Sequence, residues 1–226
     1  MVRLAWLVML LALPAWAADA GAKPRIAALY YRDLANNPDL ASFAKGLAAM
    51  LINDLGETGS FTTLERERVD ELLKEKQLGS TDYADKSSFG KLAAVLGAEY
   101  LITGEIVQMG KNKYFLISKL IRADTFEIVG TGRVPLDPDD VMTAVEKITE
   151  LATTKLRALG SLGIAAPVQK AQRDYKVPLS TAVKYARALD AKDKKDTATA
   201  TKLLTEVTTE QPALKVAKLD LLSLTR

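Results

Sequence analysis

The chain has 226 residues, of which 48% are apolar, 26% charged and 6% aromatic, a mixture typical of a globular protein. It contains neither cysteine nor histidine. Disulfides, thiolate zinc sites, haem-binding histidines, cysteine nucleophiles and Ser-His-Asp triads are therefore excluded. The formal net charge of +3 is too small to favour a nucleic acid as partner.

The first 17 residues have the pattern of a secretory signal peptide. Arg3 gives a positive start, residues 4–13 are uninterruptedly apolar, and Ala15 and Ala17 supply the small residues of a cleavage site. At 1.5 Å per residue, this run is too short to cross about 30 Å of hydrocarbon. We therefore expect a signal peptide over residues 1–17 and a periplasmic mature chain. We also expect no lipoprotein anchor, because the chain lacks the cysteine that would carry it.

Residues 18–160 are predicted to form an α/β domain, a small mixed sheet flanked by helices. Residues 25–31 are apolar on both faces, which is typical of a buried strand. Short turns between the last three strands predict an antiparallel meander. The predicted strands are 25–31, 61–64, 100–109, 113–122 and 127–134. The predicted helices are 40–55, 65–76, 87–96 and a last one that starts with Asp137 as cap and Pro138 as first residue and stops at Gly160.

Residues 161–178 contain glycine and proline without a clear period and are interpreted as a linker. The pattern over 179–226 is helical: helices 179–190 and 194–211 are joined across a polar turn at residues 192–195, which we expect to be solvated, and a third helix, 213–224, covers them. Ala188, Ala200, Leu204, Val207 and Pro212 fall on positions of the tetratricopeptide pattern, although a generic helical hairpin fits as well. Either interpretation makes residues 179–226 a helical interaction module.

No catalytic, cofactor-binding or metal-ligating residue is predicted. The acidic residues of 65–67 lie at the start of a helix, where they suit the positive helix end better than catalysis. The acidic run 137–140 lacks the further ligands and the glycine of a calcium loop. No phosphate-binding glycine motif is present. Gly97 is expected to end a helix, and Gly104 to allow close packing on the sheet.

Three blocks in this order resemble the CsgG/HfaB family of bacterial envelope proteins, which includes the curli secretion channel subunit. The blocks are 25–31 (RIAALYY), 59–66 (GSFTTLER) continued by 71–75 (ELLKE), and 96–104 (LGAEYLITG). Residues 122–129 also resemble the strand-turn-strand of the family, but Phe126 stands where a glycine is usual. The resemblance covers residues 25–160 and implies a fold similar to LpoB and to the amino-terminal domain of TolB.

The resemblance implies a non-catalytic periplasmic accessory or adaptor protein, acting in assembly or export of surface structures through protein–protein docking. Its partner would be an envelope or secretion-apparatus protein. One alternative is a ring-forming subunit of an outer-membrane secretion channel complex, hence a homo-oligomer. Strand connections of a few residues leave no room for the family's membrane hairpins, so a pore made by this chain alone is not expected. A cell-wall synthase activator is a further alternative. Another is an enzyme that uses carboxylates, or lysine and tyrosine, for example on glycans.

Overall fold

The computed structural model describes residues 23–75, 92, 94–110, 113–162 and 173–225. The predicted signal peptide and residues 163–172 of the predicted linker lie outside these ranges. So does most of the predicted helix 87–96, of which residues 92 and 94–96 are described as helical.

Within the described residues, six strands form one mixed sheet in the order β3-β1-β4-β5-β6, with β2 paired to β4. Strand β1 is parallel to β3 and β4, whereas β4, β5 and β6 form the predicted antiparallel meander. The strands are β1 (Arg25–Ala28), β2 (Arg32–Asp33), β3 (Thr62–Thr63), β4 (Tyr100–Gln108), β5 (Tyr114–Arg122) and β6 (Ile128–Leu136). Helices flank this sheet, so the predicted α/β class is confirmed.

The helices follow the predicted apolar periods. Asn37 caps the first one by accepting a hydrogen bond from the Asp39 N–H at 3.0 Å, and Pro38 occupies its first position. The helices are α1 (Pro38–Glu57), α2 (Arg66–Glu75), α3 (Val141–Ala158), α4 (Leu179–Asp193), α5 (Thr197–Glu210) and α6 (Lys215–Leu224).

Helix α3 begins at Val141, so the predicted start at Pro138 with Asp137 as cap is wrong. The cap is Asp140, whose carboxylate accepts a hydrogen bond from the Met142 N–H at 3.2 Å. Asp137 instead pairs with Asp140 in an isolated bridge that closes a tight turn.

The segment that enters α4 explains this later start. The Pro138 carbonyl accepts a hydrogen bond from the Leu179 N–H at 2.8 Å, and the Val141 N–H donates to the Val177 carbonyl at 2.9 Å. These long-range bonds hold the residues before Val141 as a turn. The local sequence contains no signal for them, because their partners lie far along the chain.

The main hydrophobic core runs from one face of the sheet through α1 and α3 into the three carboxy-terminal helices. Its buried members come from all these elements: Ile26, Phe43, Leu51, Leu120, Val145, Tyr185, Leu189, Leu204 and Ala217. A smaller cluster covers the other face of β1 and β4, with Leu29, Val69, Leu72, Leu96 and Leu101 among its members. The carboxy-terminal helices therefore share a core with the α/β part.

Helices α1 and α4 approach closely where both carry small residues. A Cβ added at Gly46 would lie 3.1 Å from the Ala186 Cβ and 3.2 Å from the Ala182 carbonyl oxygen. In the described end of the predicted linker, Arg173 pairs with Asp54 on α1. The domain boundaries proposed from the sequence stay a prediction.

Gly104 has the close-packing role that its position predicted. A Cβ there would lie 2.2 Å from the Ile117 carbonyl oxygen and 2.6 Å from a ring carbon of Tyr31. No side chain fits this space, because one neighbour is the backbone of β5 and the other is a fully buried ring.

Phe126 occupies the position where the resembled family usually has glycine, and its φ is +58°. A bulky residue in the left-handed region is strained, because its Cβ crowds its own backbone. Its N–H donates to the Arg122 carbonyl at 2.9 Å, and its ring packs half-buried against the smaller core cluster. That packing offsets the strain of the turn.

Candidate docking groove beside a buried ionic network

Arg66, at the start of α2, has only 4% of its side chain exposed. Its two Nη atoms donate to the two carboxylate oxygens of Asp193 at 2.8 and 3.0 Å, a bidentate pair between residues 127 positions apart. They also donate to Asp70 at 2.7 Å and to Glu67 at 3.1 Å. A buried guanidinium thus joins the α/β part to the carboxy-terminal end of α4.

Lys45 on α1 extends this ionic network. Its ammonium group pairs with Asp190 and, at 2.9 Å, with Asp193. The Tyr30 hydroxyl, just after β1, donates to Asp70. The Lys45 ammonium also lies 5.8 Å from the centre of the Tyr30 ring, within reach of a cation–π contact.

The network continues to α6 through Lys192. Its ammonium group contacts Glu67 at 3.1 Å and Asp220 at 2.6 Å, and Asp220 also accepts from the buried Tyr185 hydroxyl at 2.7 Å. Lys192 and Asp193 belong to helix α4, so the expectation of a solvated turn is wrong for these two residues. Their side chains point into the molecule because partners on α2 and α6 satisfy them.

Burial and pairing shift the pKa values of these groups in opposite directions. Burial by itself would raise the pKa of Asp193, but hydrogen bonds and charge from Arg66 and Lys45 lower it to about 2. For Asp70 burial prevails and raises the pKa. Burial also lowers the pKa of Arg66 in principle, yet the bond to Asp193 raises it overall. The guanidinium and the Asp193 carboxylate are therefore both charged over the ordinary pH range.

A groove of about 510 Å³ lies against this ionic network, between α1, the β3–α2 turn and α6. One wall is a single face of α1, where the lining residues fall at i, i+3, i+4 and i+7. The opposite wall is a face of α6, and the buried Tyr185 of α4 also lines the groove. The lining residues are Ala49, Ile52, Asn53, Gly56, Glu57, Thr63, Glu65, Arg66, Glu67, Tyr185, Val216, Leu219 and Asp220. We call this surface the α1–α6 groove.

The charge of the α1–α6 groove is negative. Four carboxylates line it, Glu57, Glu65, Glu67 and Asp220, against the single guanidinium of Arg66. Arg66 is already held by Asp70 and Asp193, outside the lining. In the part of the chain that the structure describes, the exposed side chain of Glu65 forms no ion pair.

Sequence reasoning found α2 but missed the role of Arg66. The spacing of Arg66 and Asp70 at i and i+4 was a local signal for a pair. No local signal pointed to Asp193, since the two chain segments meet only after α4 has packed on α1. Glu67 lies in the first turn of α2, as predicted for an acidic residue at the positive helix end.

The acidic residues before α3 serve the turn and the cap described above. Within the described residues, no three side chains come together in a group that could hold a metal ion. In that same part of the chain, no helix combines the length and the apolar character needed to span a bilayer. Ala188, Ala200, Leu204 and Val207 are buried, and their tetratricopeptide assignment stays a prediction.

The family model of the curli production assembly/transport component CsgG matches residues 15–114. The resemblance to the CsgG family is thereby confirmed over that part of the chain. No curated protein matches the chain.

Among solved structures, the carboxy-terminal domain of LpoB from Escherichia coli is similar at 20% identity and a TM-score of 0.42, over 51% of this chain and 83% of that domain. TolB from Acinetobacter baumannii is similar at 17% identity and a TM-score of 0.41, over 61% of this chain and 29% of TolB. The PelC dodecamer from Paraburkholderia phytofirmans is similar at 13% identity and a TM-score of 0.33, over 61% of this chain and 88% of PelC.

Proposed function

We propose that the protein is a non-catalytic accessory protein of the bacterial envelope that acts in assembly or export of surface structures by docking other proteins. The observation that carries the proposal is the match of the CsgG family model to residues 15–114, since that model describes a component of curli assembly and transport. The match includes α1, β3 and the start of α2, which line one side of the groove.

The character of the α1–α6 groove supports docking of a protein. Apolar side chains of α1 and α6 stand beside carboxylates, as in the apolar centre and polar rim of protein interfaces. Leu219 on α6 is 61% exposed, and Leu222, one turn further on, is also exposed. Neighbouring exposed leucines on one helix favour a contact surface.

The proposal places the mature protein in the periplasm, after removal of residues 1–17. Amino-terminal sequencing of the exported protein should give Ala18 as the first residue. An exported protein that still begins with Met1 would contradict this location and the route to it.

A deletion and complementation experiment in the source bacterium tests the function. We expect the deletion strain to secrete or display less surface material, and the wild-type gene to restore it. A deletion strain with unchanged surface structures, examined by electron microscopy and by quantifying exported protein and polysaccharide, would overturn the proposed function.

The state of the protein in solution separates an adaptor from a channel subunit. Light scattering behind size exclusion, on residues 18–226 without detergent, should give a monomer or dimer. A discrete species of ring size would contradict the adaptor and favour the alternative of a ring-forming subunit of a secretion channel complex.

A further inference from the structure

We propose that the α1–α6 groove receives an amphipathic helix of a partner protein, and that this helix carries lysine or arginine beside its apolar face. The inference rests on the proposed docking function and assigns it a surface and a class of partner. It follows from the shape of the two walls and from their charge.

Both walls of the groove are helix faces. Ala49, Ile52 and Gly56 recur along α1 at helical spacing, and Val216 and Leu219 do so along α6. Two helices with an open trough between them are the arrangement into which a third helix packs through residues at i, i+3, i+4 and i+7.

Small residues on α1 let an incoming helix come close. Gly56 is exposed, and a Cβ added there would touch only Thr63, at 3.5 Å. Ala49, two turns earlier, presents only a methyl group. Larger apolar side chains of a partner can therefore fill the trough between Ile52 and Leu219, which line it.

Charge selects a basic partner over an acidic one. The carboxylate of Glu65 is exposed, and Glu57 and Glu67 lie on the same rim. Two of these carboxylates have partners: Glu57 pairs with Lys215 at 3.3 Å, and Glu67 pairs with Arg66 and with Lys192, both at 3.1 Å. The partners of Glu67 are shared with further carboxylates, Arg66 with Asp70 and Asp193, and Lys192 with Asp220. A partner with lysine or arginine could pair with Glu65, which forms no ion pair in the described part of the chain, whereas an acidic partner would be repelled by it.

The test uses two synthetic helical peptides that share a leucine–alanine face and differ only in the flanking residues, lysine in one and glutamate in the other. Each peptide is titrated into isotopically labelled mature protein, and amide shifts are followed by NMR. The lysine peptide should shift signals from residues 49–56 and 216–220, and raising the salt from about 50 to about 200 mM should weaken its binding. The glutamate peptide should not bind.

Two variants with matched controls locate the contact. Leu219→Gln should raise the dissociation constant of the lysine peptide about tenfold or more. Leu159→Gln, at a leucine that is 45% exposed after α3 and outside the groove, should leave it unchanged. Glu65→Gln should weaken binding and its salt dependence, whereas Glu127→Gln on the β5–β6 turn should do neither.

Several outcomes would overturn the inference. They are equal binding of the two peptides, shifts confined to another surface, no binding of either peptide at millimolar concentration, and a concentration-dependent dimer that closes the groove. In the deletion strain, restoration by both Leu219→Gln and Leu159→Gln would refute the groove while leaving the proposed function standing. A deletion strain without any defect would instead refute the function itself.

Discussion

Arg66 and Arg68 lie two residues apart on α2, yet their surroundings differ. The Arg66 side chain is buried among carboxylates, whereas that of Arg68 is 59% exposed and pairs with the exposed Glu71 at 2.8 Å. Taking a guanidinium out of water is costly, and the bidentate bond to Asp193 offsets that cost. Removal of Arg66 would leave Asp70 and Asp193 buried without their main counter-charge.

We therefore expect Arg66→Ala to lower the free energy of unfolding by about 3–5 kcal/mol. Arg68→Ala is the matched control, and its loss should be about 0.5 kcal/mol or less, because an exposed pair is screened by solvent. Urea unfolding followed by circular dichroism measures both, since the only tryptophans, Trp6 and Trp16, lie in the predicted signal peptide. Similar losses in the two variants would contradict the importance of the ionic network.

Two substitutions of Phe126 separate the backbone strain of its turn from the packing of its ring. Phe126→Ala keeps the positive φ and loses the ring contacts, whereas Phe126→Gly loses the contacts and relieves the backbone. We expect the glycine variant to be more stable than the alanine variant by about 1 kcal/mol, the reverse of their usual order. Thermal unfolding of both proteins gives the comparison, and an alanine variant at least as stable would show that the turn is not strained.

At the level of helices and strands, the spacing of apolar residues predicted most of the architecture. The apolar steps of α1 and the short turns of the meander depend on local sequence alone, and both are found in the structure. The start of α3 and the setting of Lys192 and Asp193 depend on backbone and side-chain partners far along the chain. Local patterns contain no such information, which is why the ionic network and the α1–α6 groove were not predicted.

Helix α4 is held to α1 and α2 by charge as well as by apolar contacts, and this makes its docking sensitive to acid. The pKa of Asp193 is about 2 in the folded protein, below the ordinary value of 3.8, because Arg66 and Lys45 favour the carboxylate. The folded state therefore binds this proton less readily than the unfolded state. The ionised carboxylate of Asp193 therefore stabilises the fold fully above about pH 4, and this stabilisation is lost as the pH falls towards 2.

The variant Asp193→Asn removes this titrating carboxylate and, with it, one of the charges that raise the pKa of Asp70. At pH 6 the variant should be clearly less stable than the wild type. The difference between the two proteins should shrink steadily from about pH 4 to pH 2. Urea unfolding at a series of pH values gives the difference directly, and a constant difference over that window would contradict the assigned role of Asp193.

For the whole molecule, the groove exists only while the carboxy-terminal helices stay docked. Its two main walls belong to α1, in the CsgG-like part, and to α6, near the end of the chain. One continuous core and the ionic network of Arg66 hold these parts together. We therefore expect residues of both parts to unfold as one unit and to present a single docking surface.

Hydrogen exchange of the mature protein, measured by NMR or by mass spectrometry of peptic fragments, tests whether the two parts unfold together. We expect the slowest amides of α1 and α4 to exchange with the same free energy of opening, and Arg66→Ala to lower both values equally. Exchange of α4, α5 and α6 through a separate opening of low free energy, with α1 and the sheet still protected, would show that the two parts unfold independently.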